Sequence, residues 1–285
     1  MPTIHELVAG ARQRLRAAGI GGDEADLDAR LLAEHLLRWD AVRYFADGGI
    51  DAPADFHQQY AAAIGRRVHR EPVAYITGTQ EFWGLAFAVT PAVLIPRPET
   101  ELIVEAVVEI TADRRTPARI ADACTGSGCL AVAVACERAD ARVIATDLSV
   151  AALEIAHDNA RRHGVAERVE TAQTDVLVGI DGPFDVVMSN PPYVPEADLA
   201  TLQPEVVQYE PRLALAAGTD GLEVIRTLVT QAQGVLSPAG WLVFEFGFGQ
   251  AEPVAKLVTS AGLELVELRN DLQGIPRTAV ARQRA

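Results

Sequence analysis

The sequence predicts an α/β protein built on a mostly parallel sheet of seven strands, with a smaller helical region before it. From about residue 100, short apolar segments alternate with longer segments that carry helical spacing. This alternation is typical of a parallel sheet covered by helices on both faces. The last two strand segments are separated only by RNDLQGIP. Because a loop that short cannot form a crossover, we expect the last strand to be antiparallel.

Residues 1–72 carry helical spacing and almost no strand signal. Apolar residues recur at steps of three and four within residues 7–18 and again within residues 27–36. Asp23 stands where it would cap the second of these helices. The segment FHQQYAAAIGRRV predicts a third helix. We therefore expect a small helical bundle as the first domain.

Residues 73–98 are rich in β-branched and aromatic residues interrupted by glycine, which predicts a β-hairpin linker. Residues 99–285 then form the α/β domain. Its strands are predicted at ARIADA, ARVIATD, RVETAQTD, FDVVMS, WLVFEFG, LELVEL and RTAVARQ. Its helices are predicted at ELIVEAVVEI, LAVAVACER, VAALEIAHDNARRHG, GLEVIRTLVTQAQGVL, which SPAG ends, and AEPVAKLVTSAG.

Charge and hydropathy exclude several classes of protein. The formal net charge is −14, whereas proteins that bind nucleic acid usually carry a basic balance. The densest basic run, GRRVHR at residues 65–70, is interpreted as a solvated helix face. No apolar run approaches the length of a membrane span, and the start lacks the apolar core of a signal peptide. We expect a soluble cytoplasmic protein with no membrane and no direct nucleic-acid partner.

The three cysteines, Cys124, Cys129 and Cys136, lie close together in the chain. Their spacing fits neither a disulfide framework nor a zinc site. We interpret them as small buried residues and expect no metal.

A candidate cofactor site follows the first strand of the sheet, in ADACTGSGCLA. Asp122 leads into a glycine turn at residues 125–128, where the backbone can approach a ligand closely at a helix N-terminus. Asp147 ends the second strand and can accept both hydroxyl groups of a ribose. Asp175, after the third strand, stands where an adenine amino group would lie. The set predicts an adenosine-containing cofactor, and NAD remains open because the turn also fits the dinucleotide pattern.

The fourth strand ends in Asn190, Pro191, Pro192 and Tyr193, on the same sheet edge as the glycine turn. Two prolines cannot donate to a sheet ladder, so a stiff loop must follow the strand. This loop resembles the signature of S-adenosylmethionine-dependent methyltransferases that modify planar nitrogens. In such a site the Asn190 side-chain oxygen and the Pro191 carbonyl would accept the two N–H groups of an amide or amine. Tyr193 would stack on the planar group.

Longer blocks make the resemblance more specific. EPVAYITGTQEFWGLAFAVTPAVLIPRPETELIVE, YEPRLALAAGTDGL, FEFGFGQ and NDLQGIPRTAVAR resemble segments of the release-factor glutamine methyltransferases. The resemblance implies a Rossmann-like class I methyltransferase domain, S-adenosylmethionine as cofactor, and peptide chain release factors as the protein substrate. Because two domains joined by a hairpin could grip a large substrate at two places, we expect the helical domain at residues 1–72 to recognise the substrate; the alternative is that it only stabilises the catalytic domain. An N-methyltransferase that acts on an exocyclic amino group of a nucleic-acid base is the alternative.

The resemblance implies a role for each candidate site residue. The cofactor would contact Asp122, Cys124, Thr125, Gly126, Ser127, Gly128, Asp147, Leu148, Asp175, Val176 and Asn190. The substrate glutamine would contact Asn190, Pro191, Pro192, Tyr193 and Arg97. Cys124 stands where a first glycine is common, and Val176 stands where some members carry an aromatic residue. Thr100, in the block IPRPET, can cap the next helix.

Overall fold

A computed structural model describes residues 1–113 and 116–284 of the chain. Contacts within the chain divide it into two compact units. The first unit contains residues 1–79 together with residues 203–209, and the second contains residues 80–202 and 210–285. The bounds predicted from the sequence place residues 73–79 in the hairpin linker and residues 203–209 in the α/β domain, whereas contacts within the chain place both segments in the first unit. No helix in the described part of the chain is long and apolar enough to cross a membrane.

The predicted helices and strands appear in the predicted order, but the helices Ala41–Asp47, Val73–Thr77 and Pro204–Tyr209 are not predicted, and the second of these lies where the hairpin linker is expected to begin. The α-helices are α1 Ile4–Ala17, α2 Gly22–Leu37, α3 Ala41–Asp47, α4 Phe56–Val68, α5 Val73–Thr77, α6 Glu101–Thr111, α7 Cys129–Glu137, α8 Val150–Arg162, α9 Pro204–Tyr209, α10 Glu223–Val235 and α11 Ala251–Ser260. The strands are β1 Thr79–Phe82, β2 Leu85–Ala88, β3 Arg119–Ala123, β4 Arg142–Asp147, β5 Val169–Gln173, β6 Phe184–Ser189, β7 Leu236–Glu245, β8 Glu264–Asn270 and β9 Pro276–Arg282. Short 3-10 helices lie at Pro98–Thr100, Leu199–Thr201 and Arg212–Ala214.

The first unit is a helical bundle, as the spacing predicts, but its buried faces differ in detail. The buried residues of α1 are Ile4, Val8, Ala11 and Leu15. In α2, alanines and Leu32 face the core, whereas the larger side chains of residues 27 and 31 are exposed. The expected cap at Asp23 is wrong, because Gly21 is the N-cap and Asp23 lies in the first helical turn.

An ion cluster at the centre of the first unit contradicts the interpretation of GRRVHR as a solvated face. Arg67 is 2% exposed and donates hydrogen bonds to Asp28, Glu24 and Glu205 at 2.6–2.7 Å. Arg70 also donates to Glu205, at 2.8 Å. Burial by itself would raise the pKa of Glu205, but the hydrogen bonds from the two arginines lower it on balance. The cluster ties α2, α4 and α9 together.

The second unit is built on the predicted mostly parallel sheet. In the described residues its seven strands lie in the order β5-β4-β3-β6-β7-β9-β8. The pairs from β5 to β7 are parallel, and β9 is antiparallel to both neighbours, as expected from the short loop before it. Because β3 and β6 are adjacent, the loops after them emerge side by side at the carboxyl edge. The crevice between such loops, at the carboxyl edge of the strands, is where open α/β sheets bind ligands.

Two local predictions are wrong in this unit. The segment SPAG is predicted as the turn that ends α10. In the structure α10 ends at Val235, and residues 237–240 are part of β7. The pairing of β6 with β7 shifts register there, between Phe184 and Val186. The cysteines are not uniformly buried either: Cys129 is buried, Cys124 is half-buried and Cys136 is exposed.

Candidate functional site

A cleft at the carboxyl edge of the sheet brings most of the predicted cofactor residues together. Of the candidates, the residues that line it are Cys124, Thr125, Gly126, Ser127, Asp147, Leu148, Asp175, Val176, Asn190 and Pro192. Thr100, Leu130, Leu213 and Ala214 also line it. All of these residues belong to the second unit. The cleft therefore combines carboxylates from two strand ends with an apolar wall.

The turn after β3 is held against the end of β4 by hydrogen bonds. Asp147 Oδ2 accepts from the backbone N–H of Gly126, and its Oδ1 accepts from that of Ser149, both at 2.9 Å. Thr125 N–H donates to the Thr146 carbonyl, also at 2.9 Å. Burial raises the pKa of Asp147, and the backbone hydrogen bonds lower it in part. A carboxylate has about four lone-pair positions, so Asp147 keeps capacity for further donors in the cleft.

Two residues of the cleft adopt backbone conformations that favour glycine. Cys124 has φ 58° and Val176 has φ 55°, both in the left-handed region. Such a conformation is a genuine outlier for a β-branched residue and costs on the order of 1–3 kcal/mol. The conformation of Cys124 gives a physical reason for the glycine that is common at its position. The strain lies where the backbone lines the cleft.

Asp122 and Gly128 lie behind the turn and not in the cleft lining. Asp122 is fully buried, and its Oδ2 accepts from the Thr125 hydroxyl at 2.6 Å and from the Ala131 N–H at 3.2 Å. Burial raises its pKa to about 7. A Cβ on Gly128 would lie 2.9 Å from the Cβ of Ala156, so this glycine permits the close packing of α7 on α8. Asp122 and Gly128 therefore support the conformation of the turn and do not contact the cleft.

Asn190 is held by a chain of hydrogen bonds that ends at a buried carboxylate. Its Nδ2 donates to Thr100 Oγ1 at 2.9 Å, and Thr100 Oγ1 donates to Glu245 Oε2 at 2.6 Å. The Tyr193 hydroxyl donates to Glu245 Oε1 at 2.9 Å. Burial raises the pKa of Glu245, and the hydrogen bonds from Thr100 and Tyr193 partly offset this. Both ends of the Asn190–Tyr193 loop are thus tied to one side chain.

Thr100 does not do what the sequence suggested. It occupies the N-cap position of α6, but its side chain makes no capping hydrogen bond. Its hydroxyl is buried and is used between Asn190 and Glu245 instead.

Tyr193, Pro191 and Arg97 are not part of the cleft lining. The Tyr193 ring packs against the core cluster of the second unit, and its hydroxyl is anchored on Glu245. Pro191 is buried within the loop. Arg97 forms an ion pair with Glu210, whose other carboxylate oxygen accepts from the Ile95 N–H at 3.2 Å. This pair fixes the backbone of the segment that leads to Thr100.

Sequence reasoning missed two further side chains that hold the site. Asn159, in α8, is fully buried; it exchanges hydrogen bonds of 2.8 and 3.0 Å with the backbone of Ala88 and donates to the Ser127 carbonyl at 2.9 Å. Gln250 donates to the Tyr193 carbonyl at 3.0 Å and accepts from the Gly247 N–H at 2.7 Å. A polar residue on an otherwise apolar helix face is the signal by which Asn159 is recognisable in the sequence.

Family models match both parts of the chain. The model described as the PrmC N-terminal domain matches residues 6–78. The model described as the methyltransferase small domain matches residues 99–209, which include the glycine turn, Asp147 and the Asn190–Tyr193 loop.

Curated relatives match over nearly the whole chain. The release factor glutamine methyltransferase of Nitratidesulfovibrio vulgaris is 42% identical over 286 residues, which cover 99% of this chain and 95% of that protein. The protein of the same name from Bradyrhizobium diazoefficiens is 41% identical, covering 95% of this chain and 91% of that protein. Among solved structures, a methyltransferase from Pyrococcus furiosus superposes with a TM-score of 0.52 at 16% identity, covering 79% of this chain and 100% of that chain. That likeness, with the sheet order, confirms the Rossmann-like class I methyltransferase fold.

Proposed function

The chain belongs to the release factor glutamine methyltransferase family, and from this premise we propose what it does. It transfers a methyl group from S-adenosylmethionine to the side-chain amide nitrogen of the glutamine in the Gly-Gly-Gln motif of peptide chain release factors. A substrate from the translation machinery would place the enzyme in the cytoplasm. The observation that carries the proposal is the position of Asn190, whose amide lines the same cleft as the glycine turn and Asp147.

The cleft suits S-adenosylmethionine chemically. Asp147 offers carboxylate oxygens to the paired hydroxyl groups of a ribose. Leu148 and Val176 supply apolar surface for adenine. A Cβ on Gly126 would meet nothing within 4 Å, so the backbone of the turn is open to a ligand. The cofactor, when bound, supplies an electrophilic methyl group.

The chain's own residues supply the other half of the reaction. An amide nitrogen is a poor nucleophile because its lone pair is delocalised. Asn190 Oδ1, which lines the cleft, accepts one N–H of the substrate glutamine, and the backbone carbonyl of Pro191, between the lining residues Asn190 and Pro192, accepts the other. Two acceptors fix the nitrogen and increase its electron density, so catalysis consists mainly of positioning and electrostatics. Pro192 and the ring of Tyr193 stiffen the loop that carries these acceptors. The ion pair of Arg97 with Glu210 fixes the segment that leads to Thr100, the hydrogen-bond partner of Asn190.

The proposal is tested by incubating a purified release factor with the protein and S-adenosylmethionine and mapping methylation by mass spectrometry. We expect one added methyl group on the glutamine of the Gly-Gly-Gln motif. A release factor with that glutamine replaced by alanine is the matched control and should gain none. Methylation of DNA or RNA in parallel reactions, with none on the release factor, would contradict the proposal and favour a base methyltransferase.

A further inference from the structure

We propose that Glu245 and Thr100 are positioning residues that decide which atom of the Asn190 carboxamide faces the cleft. The inference rests on the proposed function, because that function requires a hydrogen-bond acceptor at this point. It assigns a role to two residues that lie outside the Asn190–Tyr193 loop in sequence but touch it in space. Neither residue needs to contact the substrate for this role.

The orientation of Asn190 depends on the shape of a carboxamide. Its oxygen and its NH2 group are nearly equal in size, so packing alone does not distinguish the two orientations of Asn190. Only the neighbouring hydrogen-bonding group does. In this structure that neighbour is the Thr100 hydroxyl, 2.9 Å from Asn190 Nδ2.

A hydroxyl group carries one proton, and Glu245 determines where that proton goes. Both oxygens of Glu245 accept hydroxyl hydrogen bonds, as those of an ionised carboxylate do, and an ionised carboxylate only accepts. The Thr100 proton is therefore directed to Glu245 Oε2, at 2.6 Å, and the Thr100 oxygen can only accept from Asn190. The Tyr193 hydroxyl occupies the other carboxylate oxygen. The polarity of the whole chain of hydrogen bonds is thus set by the negative charge at its end.

The direction of these hydrogen bonds determines which atom of Asn190 faces the cleft. With its NH2 group held by Thr100, Asn190 presents Oδ1 on its other branch and can accept an N–H of the substrate amide. The reversed orientation would set two NH2 groups against each other, and each would lack an acceptor. An unpaired buried donor costs about 1–3 kcal/mol.

The sheet explains how residues so far apart in sequence meet. Strands β6 and β7 are parallel neighbours, and Ser189 pairs with Phe244. Asn190 is the first residue after β6 and Glu245 is the last residue of β7, so the register itself places the loop beside the carboxylate. Thr100 arrives from the start of α6, at the end of the segment that Arg97 and Glu210 anchor.

The decisive test reverses the polarity of the chain of hydrogen bonds. Asn190→Asp alone removes the donor to Thr100, and we expect kcat for release-factor methylation to fall by about 100-fold or more. Adding Glu245→Gln supplies an NH2 donor to the Thr100 oxygen, so the Thr100 proton can turn to the introduced aspartate. The introduced glutamine still accepts from Tyr193. We expect kcat of the double variant to be about tenfold higher than that of Asn190→Asp. If the two substitutions acted independently, their effects would add and the double variant would be slower still.

A double variant that is as slow as Asn190→Asp, or slower, would overturn the inference. A second pair of variants tests Thr100 directly. Thr100→Val keeps the shape and removes the hydroxyl, and we expect kcat to fall by about 30-fold. Thr100→Ser restores the hydroxyl and should remain within about threefold of the wild type. A fall of equal size in both variants, at equal thermal stability, would also overturn the inference.

A readout without substrate separates this inference from the proposed function. Failure of the wild-type protein to methylate the release factor would contradict the function alone. The Asn190 NH2 signals of ¹⁵N-labelled protein, assigned by their loss in Asn190→Asp, report its hydrogen bond directly. We expect slow proton exchange in the wild type and in Thr100→Ser, and fast exchange in Thr100→Val. Equal exchange in all three proteins would overturn the role of Thr100.

Discussion

Arg67 in the first unit and Glu245 in the second are both buried charged residues, each 2% exposed, but their surroundings differ. Arg67 is surrounded by the carboxylates of Asp28, Glu24 and Glu205, so its charge is neutralised in place. Glu245 accepts only hydroxyl groups in the hydrogen bonds described above. The positive charge of Arg277 partly lowers the pKa of Glu245, but the ion pair of Arg277 is with Asp271 and not with Glu245.

The difference shows two uses of a buried charge. A charge met by opposite charges holds segments together, and removing one partner leaves the others uncompensated. A charge met by hydroxyl groups orders the direction of their protons, because each hydroxyl must donate toward it. The first arrangement contributes to stability, and the second gives the neighbouring site a defined polarity. Substitutions in the two regions should therefore change different measured quantities.

The largest expected effect is on the stability of the first unit. Arg67→Met keeps much of the packed volume but leaves the buried carboxylate of Asp28 without its cation. We expect a loss of about 3–5 kcal/mol in the free energy of unfolding, measured by denaturant titration. Arg70→Met is the matched control, because Arg70 shares Glu205 but its side chain is 20% exposed; it should cost less than about 1 kcal/mol. Equal losses would contradict the distinction between the two arginines.

Asn190→Ala tests the second region through its activity. We expect turnover to fall by about 100-fold or more while most of the affinity for S-adenosylmethionine is kept, because the substrate amide loses a preorganised acceptor. Initial rates and titration calorimetry measure the two quantities. Asn270→Ala, the same change at an exposed position at the end of β8, should alter neither. A near-normal rate in Asn190→Ala would refute the role of this amide.

A smaller effect is expected at the cofactor contact. Asp147→Ala removes the carboxylate that would accept the ribose hydroxyl groups, and we expect affinity for S-adenosylmethionine to fall by about tenfold or more. Titration calorimetry measures it. Asp140→Ala changes an exposed aspartate just before the amino end of the same strand and should leave the affinity unchanged. Wild-type affinity in Asp147→Ala would rule out the ribose assignment.

The smallest effect concerns Asp122, a third buried charge that pairs with no cation in its described hydrogen bonds. Its Oδ1 has no hydrogen-bond partner in the described part of the chain, and its pKa is raised to about 7. The folded protein therefore binds a proton between about pH 4 and pH 7 that the unfolded chain does not, so this group stabilises the fold as pH falls and loses that contribution as pH rises through 7.

Asp122→Asn, which cannot titrate, isolates that contribution. The melting temperature of the wild type relative to this variant should be higher at pH 5 than at pH 8, by about 3 °C. Calorimetric melting curves at the two pH values measure it, and Asp140→Asn is the exposed control. The same difference between wild type and Asp122→Asn at both pH values would contradict the raised pKa.

Local patterns predicted much of the second unit. The alternation of apolar and helical segments predicts where the strands lie. The short RNDLQGIP loop predicts that the last strand is antiparallel. Both predictions succeed because they depend only on residues that are close in sequence. Residues such as Asp147 and Asn190 were recognisable because parallel strands deliver their carboxyl ends to one edge. The prediction for SPAG is wrong because its turn residues are typical of a helix end, whereas in the structure it lies inside β7, in the irregular stretch between Leu236 and Trp241, the residues that pair with β6.

The sequence by itself determined the helical bundle, the hairpin, the parallel sheet and the two motifs that meet at its edge, since each is a matter of local periodicity and turn chemistry. Only the tertiary structure decided that Arg67 lies inside a cluster of acids, and that Thr100 serves Asn190 and not its own helix. Those contacts join residues 39 and 90 positions apart. Their partners are chosen by sheet register and by the need to satisfy buried polar groups, which no short stretch of sequence encodes.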